Sequence, residues 1–141
     1  MRFISFAWTV PALLAGEKTV TRRDWKASHA QGFSRGELVS AYDKDPRAGG
    51  QKIGEIRLKV PPYLEPVSEM PASDYDLEGF AYFEDHPEEL PSSAPPWMRG
   101  LTRENFTDDT GLYVDADRLF YPGAGARALY VVRFELVRTP A

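Results

Sequence analysis

A chain of 141 residues with 43% hydrophobic content and a formal net charge of −4 is one domain's worth of protein with a single core. The lack of cysteine excludes disulfides, thiolate metal sites and cysteine nucleophiles, and no run of eighteen apolar residues offers a helical membrane span. His29 and His86 cannot build a His-rich metal site, and the first residues lack the apolar stretch of a secretory signal, so a cytoplasmic domain over 1–141 is expected, with no membrane, metal or cofactor.

Residues Arg2 to Trp8 set Ile4, Phe6 and Trp8 against Phe3, Ser5 and Ala7, a short strand with one heavy apolar face. Pro11 suits the start of a helix of one or two turns, and Gly16 falls where a left-handed cap ends it. Thr19 to Arg23 is β-branched and reads as a strand, Ser28 to Ser34 as a loop or helical turn, and Glu37 to Tyr42 as a strand again. Ala48-Gly49-Gly50-Gln51 is a turn, after which Ile56, Leu58 and Val60 share one face until Pro61-Pro62 ends the strand. Asp74 to Glu84 fits one short helix through Leu77, Phe80 and Ala81. The proline-rich tract from Pro87 to Pro96 reads as a lid or edge cover. Thr102 to Phe106 reads as a short helix capped by Thr102. Tyr130, Val132, Phe134 and Leu136 then alternate along a half-buried strand. About six short strands and one or two small helices predict an α+β fold, a small and partly closed β-barrel of mostly antiparallel strands. Val132, Phe134, Ile56 and Leu58 should face its interior.

Charge divides unevenly along the chain. Residues 1–60 carry eleven Lys or Arg against six Asp or Glu, whereas 61–141 carry six against fifteen. An acidic chain argues against indiscriminate phosphate binding, but this split predicts a cationic cleft on an otherwise acidic molecule. Gly16-Glu17-Lys18-Thr19-Val20-Thr21-Arg22-Arg23 concentrates three cations and hydroxyls where a capped helix gives way to a strand. Such a boundary can aim side chains together at a phosphate or carboxylate. The same residues also fit a basic strand with a solvated face. Tyr42, Lys44 and Arg47 pair an aromatic with cations, as a stacked base and its phosphate require, though Tyr42 equally suits a core edge. Trp8 and Trp97 fit either a lid over a cleft or a plug in the barrel end. Asp108-Asp109-Thr110-Gly111, Asp115 and Asp117 read as turns rather than a calcium loop.

The run Leu13 to Arg23 resembles the Gly-x-Lys…Arg signature of the ASCH domain family, within the PUA-like superfamily of small β-barrels. Arg35-Gly36-Glu37-Leu38-Val39, Ala41-Tyr42-Asp43-Lys44, Gly54-Glu55-Ile56-Arg57-Leu58, Asp76-Leu77-Glu78-Gly79-Phe80 and the strand from Leu129 to Val137 follow in order. The resemblance implies a PUA-like barrel that binds RNA or a nucleotide through Lys18, Arg22, Arg23, Tyr42, Lys44 and Arg47. It also implies an alternative, a small amidohydrolase on acylated, N4-acetylcytidine-like nucleosides with Lys18, Thr21 and Glu78 as its catalytic set. A ribonuclease built on the same cations is a third, weaker reading. The hydrolase requires a Lys that strips the proton from a Thr hydroxyl. Because Lys18 and Thr21 are an odd number of residues apart, a regular strand would part them, so Lys18 must still belong to the turn after Gly16. Lys18 and Glu78 should then lie within direct or one-water hydrogen-bonding reach.

Overall fold

The strand with the clearest alternation is the one on which the sheet is assembled. The computed structural model describes residues 2–106 and 128–139, and for Trp97 and Asn105 the backbone alone. Its strands are β1 (Phe3–Ser5), β2 (Val20–Arg23), β3 (Leu38–Tyr42), β4 (Lys52–Leu58), β5 (Tyr63–Pro66) and β6 (Ala128–Arg138). The helices are α1 (Val10–Leu14), α2 (Ala27–Ala30), α3 (Asp74–Leu77), α4 (Phe80–Asp85) and α5 (Arg103–Phe106). β6 is long enough to serve three partners: β2 lies along one edge, while β4 and β5 take successive stretches of the other. β3 and then β1 extend the sheet beyond β4, giving the order β1-β3-β4-β6-β2. Every ladder is antiparallel except β1 with β3. The six strands curl into a half-barrel with short helices about it, a mixed α+β fold.

Alternation decides what the curl encloses. Ile4, Phe6, Val39, Ile56, Leu58, Val132 and Phe134 are all buried in one cluster, with the Phe6 and Phe134 rings edge to face at 5.6 Å. Each such side chain contributes about 1.5–3 kcal/mol on leaving water. A second cluster outside the sheet gathers Tyr75, Phe80, Phe83 and Phe106 of the helices onto Leu129. β6 is therefore buried on both faces along its first half, which explains why Leu129 and Val131 are apolar as well as Val132 and Phe134.

Several sequence expectations need correction. The first strand stops at Ser5, because the chain turns at Ala7 (φ +50) into a 3-10 turn over Ala7–Thr9. Trp8 thus leaves the strand and stacks on Phe80 at 6.2 Å. β4 ends at Leu58, so Val60 is exposed rather than aligned with Ile56. The helix expected over Asp74 to Glu84 is two helices, α3 and α4, broken at Gly79. β5 has no counterpart in the sequence reading. Asp108 to Gly111, Asp115 and Asp117 lie outside the described residues, as does the Trp97 side chain. No helix among the described residues is long and apolar enough to cross a membrane.

Candidate functional site

The end of α1 places the first residue of the site. Lys18 precedes β2, and its backbone N–H donates to Ala12 O at 3.1 Å, so it belongs to the turn after the helix. Its side chain runs inward to the end of α3. There Nζ donates to the backbone oxygen of Glu78 at 2.9 Å and to Glu78 Oε1 at 3.1 Å. This approach depends on the residue after Glu78. Gly79 has φ +94, and a Cβ there would lie 2.8 Å from the Ala12 Cβ and 3.3 Å from the Lys18 Cβ. Only glycine fits both the backbone and the space.

A second cation grips the same carboxylate. Arg22 donates from NH1 to Glu78 Oε2 at 2.8 Å, and from NH2 to Asp74 at 2.5 Å and Glu65 at 2.9 Å. Asp74 also accepts from Arg133 at 3.1 and 2.9 Å, and Arg133 Nε donates to the Tyr63 hydroxyl at 2.8 Å. β2, β5, β6 and α3 are joined through this network.

Thr21 and Arg23 project from the other face of β2, as spacing of two along a strand requires. Arg23 Nε donates to Thr21 Oγ1 at 3.1 Å, its NH2 reaches Ser5 O at 2.5 Å, and its guanidinium stands 5.5 Å from the Phe6 ring centre. Lys18, Thr21, Arg23 and Glu78 line one cavity of about 270 Å³, walled also by Trp8 and Phe80. Lys18, Thr21 and Glu78 are 2%, 4% and 3% exposed. The cavity lies where β1 and β2, the two ends of the curled sheet, are bridged by the Arg23–Ser5 contact.

Burial sets the electrostatics. It pushes the Lys18 ammonium below its ordinary value; the charge and hydrogen bond of Glu78 oppose this, and Arg23 and Arg22 add to the lowering. Burial also penalises Arg22, but Glu78, Asp74 and Glu65 outweigh it and hold that guanidinium charged. Burial lowers Arg23 to about 10, opposed by Glu78. Arg23 stays cationic at neutral pH, with only neutral hydrogen-bond acceptors among the described residues.

The structure therefore brings together Lys18, Thr21, Arg22, Arg23 and Glu78, with Lys18 and Glu78 in direct contact. It does not bring Tyr42, Lys44 or Arg47 to this cavity. Tyr42 closes the end of β3 against Phe3, their rings 5.6 Å apart. Lys44 is exposed on the following turn, and Arg47 pairs with Asp45 at 2.7 Å on its surface. Asp74 and Glu65, both from the acidic second part of the chain, pair with Arg22 and offset its charge. Asp74, Glu65 and Arg133 escaped the sequence reading; the one available signal was the four-residue spacing of Asp74 and Glu78, which puts two carboxylates on one helical side. His86, Glu88 and Glu89 gather at the surface with His86 Nδ1 3.7 and 3.8 Å from the two carboxylates, but exposed acidic groups of this kind are common without an ion.

No protein-family model and no curated protein matches this chain. Among solved structures it is similar to the crystal structure of protein EF3133 from Enterococcus faecalis V583, described under the family model DUF984. The TM-score is 0.51 at 16% identity, over 96% of this chain and 73% of that one. At that identity the likeness is one of fold.

Proposed function

We propose that the cavity is the active site of a small amidohydrolase that removes the acyl group from an N4-acetylcytidine-like nucleoside. The observation that carries this reading is a buried lysine, its pKa lowered by burial and its ammonium held by Glu78, and a buried threonine that line one small cavity together. The resemblance of the Lys18–Thr21–Glu78 set to ASCH-type nucleoside hydrolases supplies the substrate class. The step uses the deprotonated form of Lys18, which burial favours and Glu78 opposes; its Nζ takes the Thr21 proton as Oγ1 attacks the acyl carbonyl carbon. The C–N bond then breaks, and the proton on Nζ passes to the departing amine. Water hydrolyses the Thr21 ester and releases the carboxylate, restoring the hydroxyl. Arg23, already donating to Oγ1, favours the oxygen as its charge grows. Glu78 accepts from Lys18 on one oxygen and from Arg22 on the other, so it positions the base instead of wandering in the cavity.

A second reading is a PUA-like ASCH barrel that binds RNA or a nucleotide without turnover. Arg23, cationic with only neutral hydrogen-bond acceptors among the described residues, favours it. Arg22 does not, because three carboxylates occupy its donors. The ribonuclease reading is weaker still, since Glu78 would repel a phosphate placed between Lys18 and Thr21. Incubation with N4-acetylcytidine, followed by mass spectrometry, tests the hydrolase. Cytidine and acetate should appear, and Thr21→Ala should slow their release about 10²–10⁴-fold while keeping nucleoside affinity. Tight binding of short RNA with no product from any acylated nucleoside would replace this reading with the second.

A further inference from the structure

A second cavity, of about 450 Å³, opens on the other side of the Arg23–Ser5 bridge and shares both residues with the first. Its character is different. Arg2, Arg23 and Arg47 line it against a single carboxylate, Asp45, and Trp25 and His29 form an aromatic wall. Asp45 is occupied by Arg47, through contacts of 3.0 and 2.7 Å. Arg2 forms a long ion pair with Glu37 at 3.9 Å, and its guanidinium rests 4.8 Å from the centre of the Phe33 ring. That resting place exists because residue 32 is glycine: a Cβ there would overlap the guanidinium. Trp25 stacks on the same Phe33 ring, with centres 5.0 Å apart and planes 10° from parallel. Arg2 and Trp25 are thus both braced by Phe33 before any ligand arrives.

The Lys18 side balances its charge internally and suits an uncharged group. Beyond the bridge three arginines line one cavity whose lining holds a single carboxylate, Asp45, itself held by Arg47, and such an excess of guanidinium groups suits a phosphate. We infer that the two cavities form one divided site, in which the Arg2–Arg23–Arg47 side holds the phosphate of a nucleoside monophosphate whose acylated base enters the Lys18 side. This assignment rests on the hydrolase reading only for the identity of the uncharged part. Arg23 lines both sides, so a phosphate there would add an anionic acceptor to the neutral ones its guanidinium holds among the described residues.

The test compares N4-acetylcytidine with its 5′-monophosphate in steady-state turnover. KM should be about tenfold lower for the monophosphate with kcat little changed, the pattern of added uniform binding. Arg47→Gln at the exposed rim, and Gly32→Ala, which displaces Arg2 without removing a charge, should each bring the ratio of the two KM values towards one. Equal KM values in the unaltered protein, or a preference for the uncharged nucleoside, would overturn the assignment. If neither compound is hydrolysed, the hydrolase reading fails, and calorimetry with cytidine and cytidine monophosphate judges the phosphate side alone. Tighter binding of the monophosphate, lost in Arg47→Gln, would sustain it. Equal binding would overturn it, and so would a short RNA that binds far more tightly than the monophosphate.

Discussion

Gly79 shows how much one missing methyl group can position. Its left-handed backbone breaks what would have been a single helix, and its bare Cα lets Ala12 and the Lys18 stem pass against it. Gly79→Ala should therefore destabilise the protein by about 1–2 kcal/mol from the backbone alone, with the overlap on Ala12 adding to it, as chemical denaturation would record. Lys18 itself makes a pH prediction. Its folded value is lowered, so between that value and the ordinary 10.5 the unfolded chain binds more protons than the folded one. Stability contributed at this site should rise with pH through that window, and Lys18→Met should flatten the rise. In turnover the same group should produce a rate that climbs as Lys18 loses its proton, with an apparent value below 10.5. Lys18, Thr21 and Glu78 were legible in the sequence through their resemblance and spacing. Their convergence was conditional on Lys18 remaining in the turn, and the hydrogen bond from its N–H to Ala12 O meets that condition.

Between elements, the network about Asp74 connects the helices to the sheet. Asp74 is 1% exposed and accepts from Arg22 of β2 and Arg133 of β6, while Glu65 of β5 also accepts from Arg22 and Tyr63 of β5 from Arg133. Asp74→Ala would leave the Arg22 charge short of its closest partner in a dry setting, so a loss of about 3–5 kcal/mol in denaturant unfolding is expected. Loss of the clamp would also free Arg22 to swing from Glu78, and the pH profile of turnover should shift with it. A purely structural role for Asp74 would lower stability and leave that profile where it was. β5 was hidden for the same reason that it is held. Tyr63-Leu64-Glu65-Pro66 follows two prolines, shows no buried face and leaves Leu64 exposed, so it has no periodic signal. Its position comes from pairing with β6 and from the ion pair of Glu65 with Arg22, neither of which is local in sequence.

For the molecule as a whole, the open seam of the half-barrel matters more than its interior. β1 and β2 end the sheet without joining, and both cavities lie along that gap. The nearly balanced charge of the Lys18 side gives a salt prediction. Affinity for N4-acetylcytidine should stay flat between about 50 and 200 mM salt, whereas RNA held through about three phosphates would show a log–log slope near −2. Calorimetry at several salt concentrations distinguishes the two. The sequence by itself determined the α+β class, the inward faces of β4 and β6, and the capped turn that delivers Lys18, because alternation and capping are local properties of neighbouring residues. Only the tertiary structure decided that Arg22 is held by three carboxylates, that Tyr42 and Lys44 stay out of the cavity, and that Arg2, Arg23 and Arg47 line a second one. Those outcomes depend on which strands become neighbours and where the curl stops, and charges up to sixty residues apart then settle which cations remain available to a ligand.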